Sequence, residues 1–373
     1  MTQPRSKAFF STIGGIALTG CLIGVVGAVL QKAGNPPNMG LCIACFERDI
    51  AGALGLHRFA VAQYIRPLIV GMVWGALLAA LLFREFRPRA GSAPMTRFLL
   101  AVFAMVGVLA FMGCPWRVLF RLAGGDLNAV VGLIGLACGA GAGARLVRAG
   151  FHLGSPQETR AVAGWVFPLL MLSLLVPFVF RTRLVEAGPI TFSETGPGAM
   201  HAPFALSLLA GGLIGFLAQR TRFCTVGAFG NLVRSRNAKL LVGVIGVVLA
   251  AFVANLMLGQ VRFGFVGQPI AHSNVLWNFL GMALCGLAFT LAGGCPGRQL
   301  VLAGEGDSDA GVFTFGMFVG AALCHNLRLA AAPDKIVADA VQVGGLTASG
   351  MGAVVLGLAV CLVLGLAMRK ERT

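Results

Sequence analysis

Ten cysteines are spread along the 373 residues, and two of them head the same short phrase. Gly113-Cys114-Pro115-Trp116-Arg117-Val118-Leu119 recurs as Gly294-Cys295-Pro296-Gly297-Arg298-Gln299-Leu300. In each copy the proline removes a backbone donor and pushes the preceding Cys towards an extended conformation. A helix that restarts after such a break aims unpaired N–H groups, and the positive end of its dipole, at whatever lies beside the Cys. An Arg three residues further on adds a cation. A thiol, a positive helix end and a guanidinium, present twice, suit an anion that can also interact with sulfur. A kinked helix with a packed cysteine would account for the proline, but not for the duplicated Cys and Arg.

The duplication extends beyond the phrase. Leu122-Ala123-Gly124-Gly125-Asp126 matches Leu302-Ala303-Gly304-Glu305-Gly306-Asp307 with one inserted residue, and Asp126 and Asp307 can serve either as helix caps or in proton coupling. Cys42 and Cys224 each open a semi-polar stretch after an apolar run, 72 residues before Cys114 and 71 before Cys295. Cys42 also forms a Cys-x-x-Cys with Cys45, the spacing of a redox pair. The position matching Cys45 falls near Gly227, so only Cys42 is duplicated. Glu47, Arg48, Asp49, Arg58 and Arg66 surround this stretch and fit either ion pairs or an anion-attracting vestibule. Cys21, Cys138, Cys285, Cys324 and Cys361 lie on apolar runs and read as packing residues.

The elements that must position these residues are apolar. Hydrophobic residues make up 57% of the chain and charged residues only 11%, with a mean hydropathy of +0.87; soluble domains carry roughly 25% charged residues. Segments of about 20 apolar residues can span a bilayer. Ten are predicted, at 8–30, 64–83, 98–113, 127–147, 162–180, 203–219, 240–259, 276–293, 309–329 and 350–368. The runs at 98–113 and 203–219 are short, which predicts tilt or discontinuity. The net charge of +16 reflects cations between spans rather than a nucleic-acid surface.

With both termini inside, the Arg-rich loops after 64–83, 127–147 and 203–219 all fall on one face. The 181–202 and 330–349 loops, with Glu186, Glu194, Asp334 and Asp339, fall on the other. The cation-bearing breaks at Lys32, Arg117 and Arg298 stand apart from this pattern and read as parts of an anion path. Each half has four spans, and 162–180 stands between them, so an odd number of crossings inverts the second half. Inverted repeats are a transporter architecture with the substrate site near the midplane. The expected fold is therefore an all-α polytopic membrane protein of nine or ten spans with short re-entrant half-helices. The first repeat is set at 1–150, a linking span and outer loop at 151–202, the second repeat at 203–330, and an outer loop and final helix at 331–373. No signal-peptide pattern, Walker motif or Cys/His zinc spacing is expected, so neither a metal nor another cofactor is called for.

The segments Asn35-Pro-Pro-Asn-Met-Gly-Leu-Cys-Ile-Ala-Cys-Phe, Gly113-Cys-Pro-Trp-Arg, Phe216-Leu-Ala-Gln-Arg-Thr-Arg-Phe-Cys and Gly293-Gly-Cys-Pro-Gly-Arg-Gln-Leu resemble the YeeE/YedE family of bacterial inner-membrane sulfur transporters. Within it they are more similar to the YedE branch, which is associated with selenium. The resemblance implies a non-enzymatic transporter passing thiosulfate or an inorganic selenium species. Cys114 and Cys295 would face the pathway, Cys42 and Cys224 would extend it, and S–H to sulfur hydrogen bonds would relay the anion. It also implies a TusA-like cytoplasmic carrier as partner. The contrasting reading is a membrane thiol/disulfide oxidoreductase centred on Cys42 and Cys45.

Overall fold

The computed structural model describes residues 9–176, 190–337 and 340–369. Glu186, Asp339 and the terminal cations Arg5, Lys7, Lys370 and Arg372 lie outside the described residues, as does the end of the 162–180 segment.

Two sets of seven helices follow one another in the same order of long and short. The first comprises α1 (Ile13–Lys32), α2 (Ile43–Ala53), α3 (Pro67–Leu82), α4 (Pro94–Phe111), α5 (Pro115–Ala123), α6 (Asn128–Arg148) and α7 (Ala161–Ser173). The second comprises α8 (Phe204–Thr221), α9 (Thr225–Ser235), α10 (Lys239–Met257), α11 (Val275–Leu291), α12 (Pro296–Gly304), α13 (Ser308–Asn326) and α14 (Ala348–Ala367). All ten apolar segments fall on helices. The semi-polar stretches become α2 and α9, of 11 residues each, and the Gly-Cys-Pro breaks open α5 and α12, of 9 residues each. Seven helical stretches are long and apolar enough to cross a membrane, and Pro67–Leu82 and Ala161–Ser173 are shorter apolar helices. A four-residue helical turn, Gly196–Ala199, lies between the sets, and there are two small antiparallel ribbons: β1 (Arg89–Ala90) with β2 (Gln157–Glu158), and β3 (Lys335–Val337) with β4 (Ala340–Gln342). The protein is an all-α polytopic membrane protein.

Local signals set the helix ends. Thr12, Asn274, Asp307 and Thr347 accept backbone N–H groups at N-caps. Proline occupies the first turn of α3, α4, α5 and α12, where its missing donor costs nothing. Left-handed Met112 and Gly293 turn the chain out of α4 and α11 just before each Cys-Pro.

The two sets interlock. α1 packs chiefly on α10 and α8 on α3, while α4 packs on α13 and α11 on α6, with α4 and α11 meeting each other. Each of these pairs maps onto another when the sets are exchanged. Close approach depends on small residues: a Cβ on Gly75 would sit 1.9 Å from the Gly212 carbonyl oxygen, so α3 and α8 meet backbone to backbone.

The C-terminal ends of the two half-helices are covered in the same way. Arg262 N donates to Gly124 O and Gly264 N to Gly125 O, while Arg87 N donates to Glu305 O and Arg89 N to Gly306 O. Gly125 and Gly306 both have positive φ, 91° and 95°. Gly124 therefore corresponds to Glu305 and Gly125 to Gly306, which keeps one constant spacing from Pro115/Pro296 through Asp126/Asp307. The inserted residue expected from the leucine match is not there. Leu122 had been paired with Leu302 by residue type, but backbone conformation pairs it with Ala303.

The periphery is apolar, unlike that of a soluble protein, and the largely apolar interior also holds buried charges. Leu18, Leu22, Val25, Leu78, Leu249 and Val253 lie on the outside, while Asp49, Arg117, Arg121 and Asp126 are fully buried. Such charges face a protein interior and not lipid, where they are costly.

Candidate functional site

Four cysteines occupy the same local position. Cys42, Cys114, Cys224 and Cys295 are the N-caps of α2, α5, α9 and α12, all in extended conformation. The carbonyl of each accepts the first helical hydrogen bond, from Phe46, Val118, Ala228 and Gln299 respectively. For Cys114 and Cys295 the following proline enforces this geometry. In every case the side chain is left beside the unpaired N–H groups of a helix start, where negative charge is favoured by about 0.3–1 kcal/mol and by up to ~2 kcal/mol when buried.

The four meet as two pairs. Cys42 Sγ donates to Cys114 Sγ at 3.8 Å. Cys295 N and Gly227 N both donate to Cys224 Sγ, at 3.4 and 3.2 Å. Cys45, one turn into α2, lies within the electrostatic reach of Cys42, Arg48 and Arg117. Its position in α9 is Gly227, whose amide supplies a donor where the first set supplies a thiol. All five sulfurs are buried.

The two arginines three residues after the breaks take structural partners. Arg117 is fully buried and donates to the carbonyls of Asn38, Met112, Pro269 and Ile270, which pins the loop before α2 and the turn before Cys114. Arg298 donates to Glu305 Oε1 at 3.3 Å, within a cluster that brings Arg89 and Arg222 to the same carboxylate. Arg117 thus uses all three of its nitrogens to hold its break, while Arg298 meets Glu305 through Nη1. Asp126 accepts from Asn128 N at 3.0 Å and pairs with Arg121 at 2.6 Å. Asp307 caps α13 through Asp309 N and Ala310 N and pairs with Arg89 at 2.8 Å.

The cluster around α2 forms ion pairs and borders a cavity. Asp49 is held by Arg48 and Arg66, each at 2.6 Å. Arg48 and Arg58 also line a cavity of about 640 Å³ together with Met112, Cys324, His325 and Arg328. A smaller cavity, about 130 Å³, lies beside the other cysteine pair and is lined by Gly227, Gly230 and Arg234 of α9, with Thr290, Gly293 and Val147. Five lining positions of the two cavities correspond between the sets. Arg48 corresponds to Gly230, Leu109 to Thr290, Met112 to Gly293, His325 to Ala144 and Arg328 to Val147. One mouth carries cations at positions where the other carries small or apolar residues.

Sequence reasoning did not single out His325 and Arg328, because they reach the vestibule from α13 and the turn after it, far along the chain from α2. Among the described residues no group of three or more His, Cys, Asp and Glu side chains could hold a metal ion.

The fold and site define a class: a multi-pass membrane protein with two buried pairs of cysteines at the starts of short interior helices. The profile of a family described as "Sulphur transport" matches residues 220–373, which include Cys224, Cys295 and every element from α9 to α14. Less than half of the chain is matched, and the first pair of cysteines lies outside it. No curated protein matches the chain.

The exposed cations of the vestibule carry a testable consequence. Replacing Arg58 and Arg328 with Glu is expected to slow anion uptake several-fold at low ionic strength. The difference should fade above about 0.3 M salt, where exposed charges are screened within a few ångströms. Initial rates measured across a salt series check this, and a salt-independent deficit would contradict it.

Proposed function

We propose that the chain takes up a small sulfur- or selenium-containing anion, thiosulfate-like or an inorganic selenium species, across the bacterial inner membrane. The observation that carries this reading is the four N-cap thiols, which meet as two buried pairs, each flanked by residues that line a cavity. The anion collects at the Arg48–Arg58–Arg328 vestibule and passes Cys114 with Cys42 and Cys45. It then passes Cys295 with Cys224 and leaves past Gly227 and Arg234. Helix-start N–H groups stabilise its charge at each pair, while S–H groups offer weak, polarisable hydrogen bonds that let it go again.

The sidedness belongs to the same proposal. Five apolar helices in each set, with α3 and α7 shorter than the rest, support inverted repeats related by a two-fold axis in the membrane plane, with both termini inside and the cationic vestibule outside. The first repeat is taken as 1–150 and the second as 203–330, with 151–202 and 331–373 each contributing an outer loop and one helix. The matching family supports sulfur as the cargo element, and the resemblance to the YedE branch supports selenium beside it. A TusA-like carrier would receive the anion on the cytoplasmic face, where Arg-rich loops gather. One further observation favours relay over a dithiol oxidoreductase: Cys42 meets Cys114 as well as Cys45, and only Cys45 has no thiol counterpart in the second set.

The test is uptake of labelled thiosulfate, selenite and selenide into vesicles holding the purified full chain. At least one is expected to enter well above protein-free vesicles. Uptake of none would end the transport reading.

A further inference from the structure

We propose that Glu47 carries a proton that travels with the anion, so that uptake is proton-coupled; this rests on the transport reading above. Glu47 is 1% exposed and lies on α2 two residues after Cys45. The titratable groups within its electrostatic reach are Cys45 on its own helix, Cys114 at the head of α5 and Cys295 at the head of α12. Its helix packs against α12, which Cys295 heads, so the carboxyl group lies near Cys45 and Cys114 and on the side of Cys295. From α3, α4 and α13, which also pack against α2, no charged group acts on it among the described residues.

Its neighbours along α2 do not neutralise it. Arg48 is taken by Asp49, and Asp49 is shared with Arg66. The other buried acids are each held: Asp126 by Arg121, Glu305 by Arg298, and Asp309 by the amides of Gly91 and Ser92. Glu47 Oε2 is enclosed and meets no hydrogen-bond partner. The fold does not need an acid there, because the repeat-related position in α9 is Phe229.

A lone buried carboxyl group facing the thiols has one chemical use in an anion path. Ionised, it would repel an anion beside Cys114 or Cys295. As the neutral acid, it can donate its O–H to that anion. The occupied state thus requires the proton, and the same group can release it towards the opposite mouth once the anion has moved on. Movement of the two together also lessens the charge carried against an inside-negative potential.

The experiment uses vesicles containing the full chain, a pH-sensitive dye inside and thiosulfate as the probe anion. Wild-type protein is expected to acidify the interior when thiosulfate is added outside. An acid-outside gradient of one pH unit should raise the accumulated anion about tenfold per proton carried. Glu47→Gln should move the anion without acidification and without response to the gradient, while Glu47→Asp should keep both. Wild-type uptake with no proton movement would overturn the proposal whatever the variants do, and so would a Gln variant that remains gradient-driven. Should thiosulfate not enter, the same dye experiment is run with selenite and selenide, and absence of wild-type uptake of all three would instead remove the transport reading, and this inference with it.

Discussion

Replacing Cys114 with Ala is expected to lower anion uptake by about 10- to 100-fold without loss of folded protein. The thiol is a sulfur partner of Cys42 and sits at the N-terminus of α5. Hydrogen bonds to charged groups contribute roughly 1.5–3 kcal/mol. Each 1.4 kcal/mol is a factor of ten, so losing one such bond at a transit site gives the stated range. Cys295→Ala should act similarly on the second pair, and the double variant should fall to the level of protein-free vesicles. Cys361, buried on α14 among packing residues, serves as the comparison, and Cys361→Ala should leave uptake unchanged. Cys45→Ser separates relay from dithiol chemistry: the relay predicts a modest effect, the oxidoreductase complete loss. Unchanged uptake in the Cys114/Cys295 double variant would sink the relay.

Much of this arrangement is legible in the residues. Apolar length marks ten helices because lipid leaves no alternative way to satisfy a spanning backbone. Proline after Cys114 and Cys295 marks the breaks for an equally local reason, since the missing donor and the restricted preceding residue belong to the dipeptide itself. The matched separations of Cys42 and Cys224 from these breaks are also readable, because duplication preserves spacing even where residue types diverge.

Contacts between distant segments are a different matter. Nothing in the local sequence says that Arg117 turns to the carbonyls before α2 and after α10 while Arg298 turns to Glu305. The partner depends on what the other set of helices brings alongside. Glu47 is the clearest case. In sequence it is one acid within Glu-Arg-Asp and reads as part of an ion-pair cluster. Only the packing of α2 against α12 puts it between the thiol pairs and leaves Arg48 to Asp49. Gly124 and Glu305 illustrate the limit from the other side: chemically unlike residues hold the same backbone position, so letters alone placed an insertion where the fold has none.

The second large effect concerns stability and separates it from transport. Asp49→Ala is expected to leave Arg48 and Arg66 buried together without their shared carboxylate. Removing one partner of a buried pair costs about 3–5 kcal/mol, mostly through the charge left behind. The melting temperature of the detergent-purified protein should fall by about 10 °C, or folded protein should fail to accumulate. Replacing the whole cluster, as Arg48→Met, Asp49→Leu and Arg66→Met together, removes the stranded charges and should recover most of that stability. It also strips Arg48 from the vestibule wall, so uptake in the triple variant should stay low at low ionic strength even though the protein folds. A melting temperature for Asp49→Ala within a degree or two of wild type would show that the two arginines do not depend on this carboxylate. A triple variant that folds and transports normally would show that Arg48 serves the cluster alone and contributes nothing to drawing the anion in.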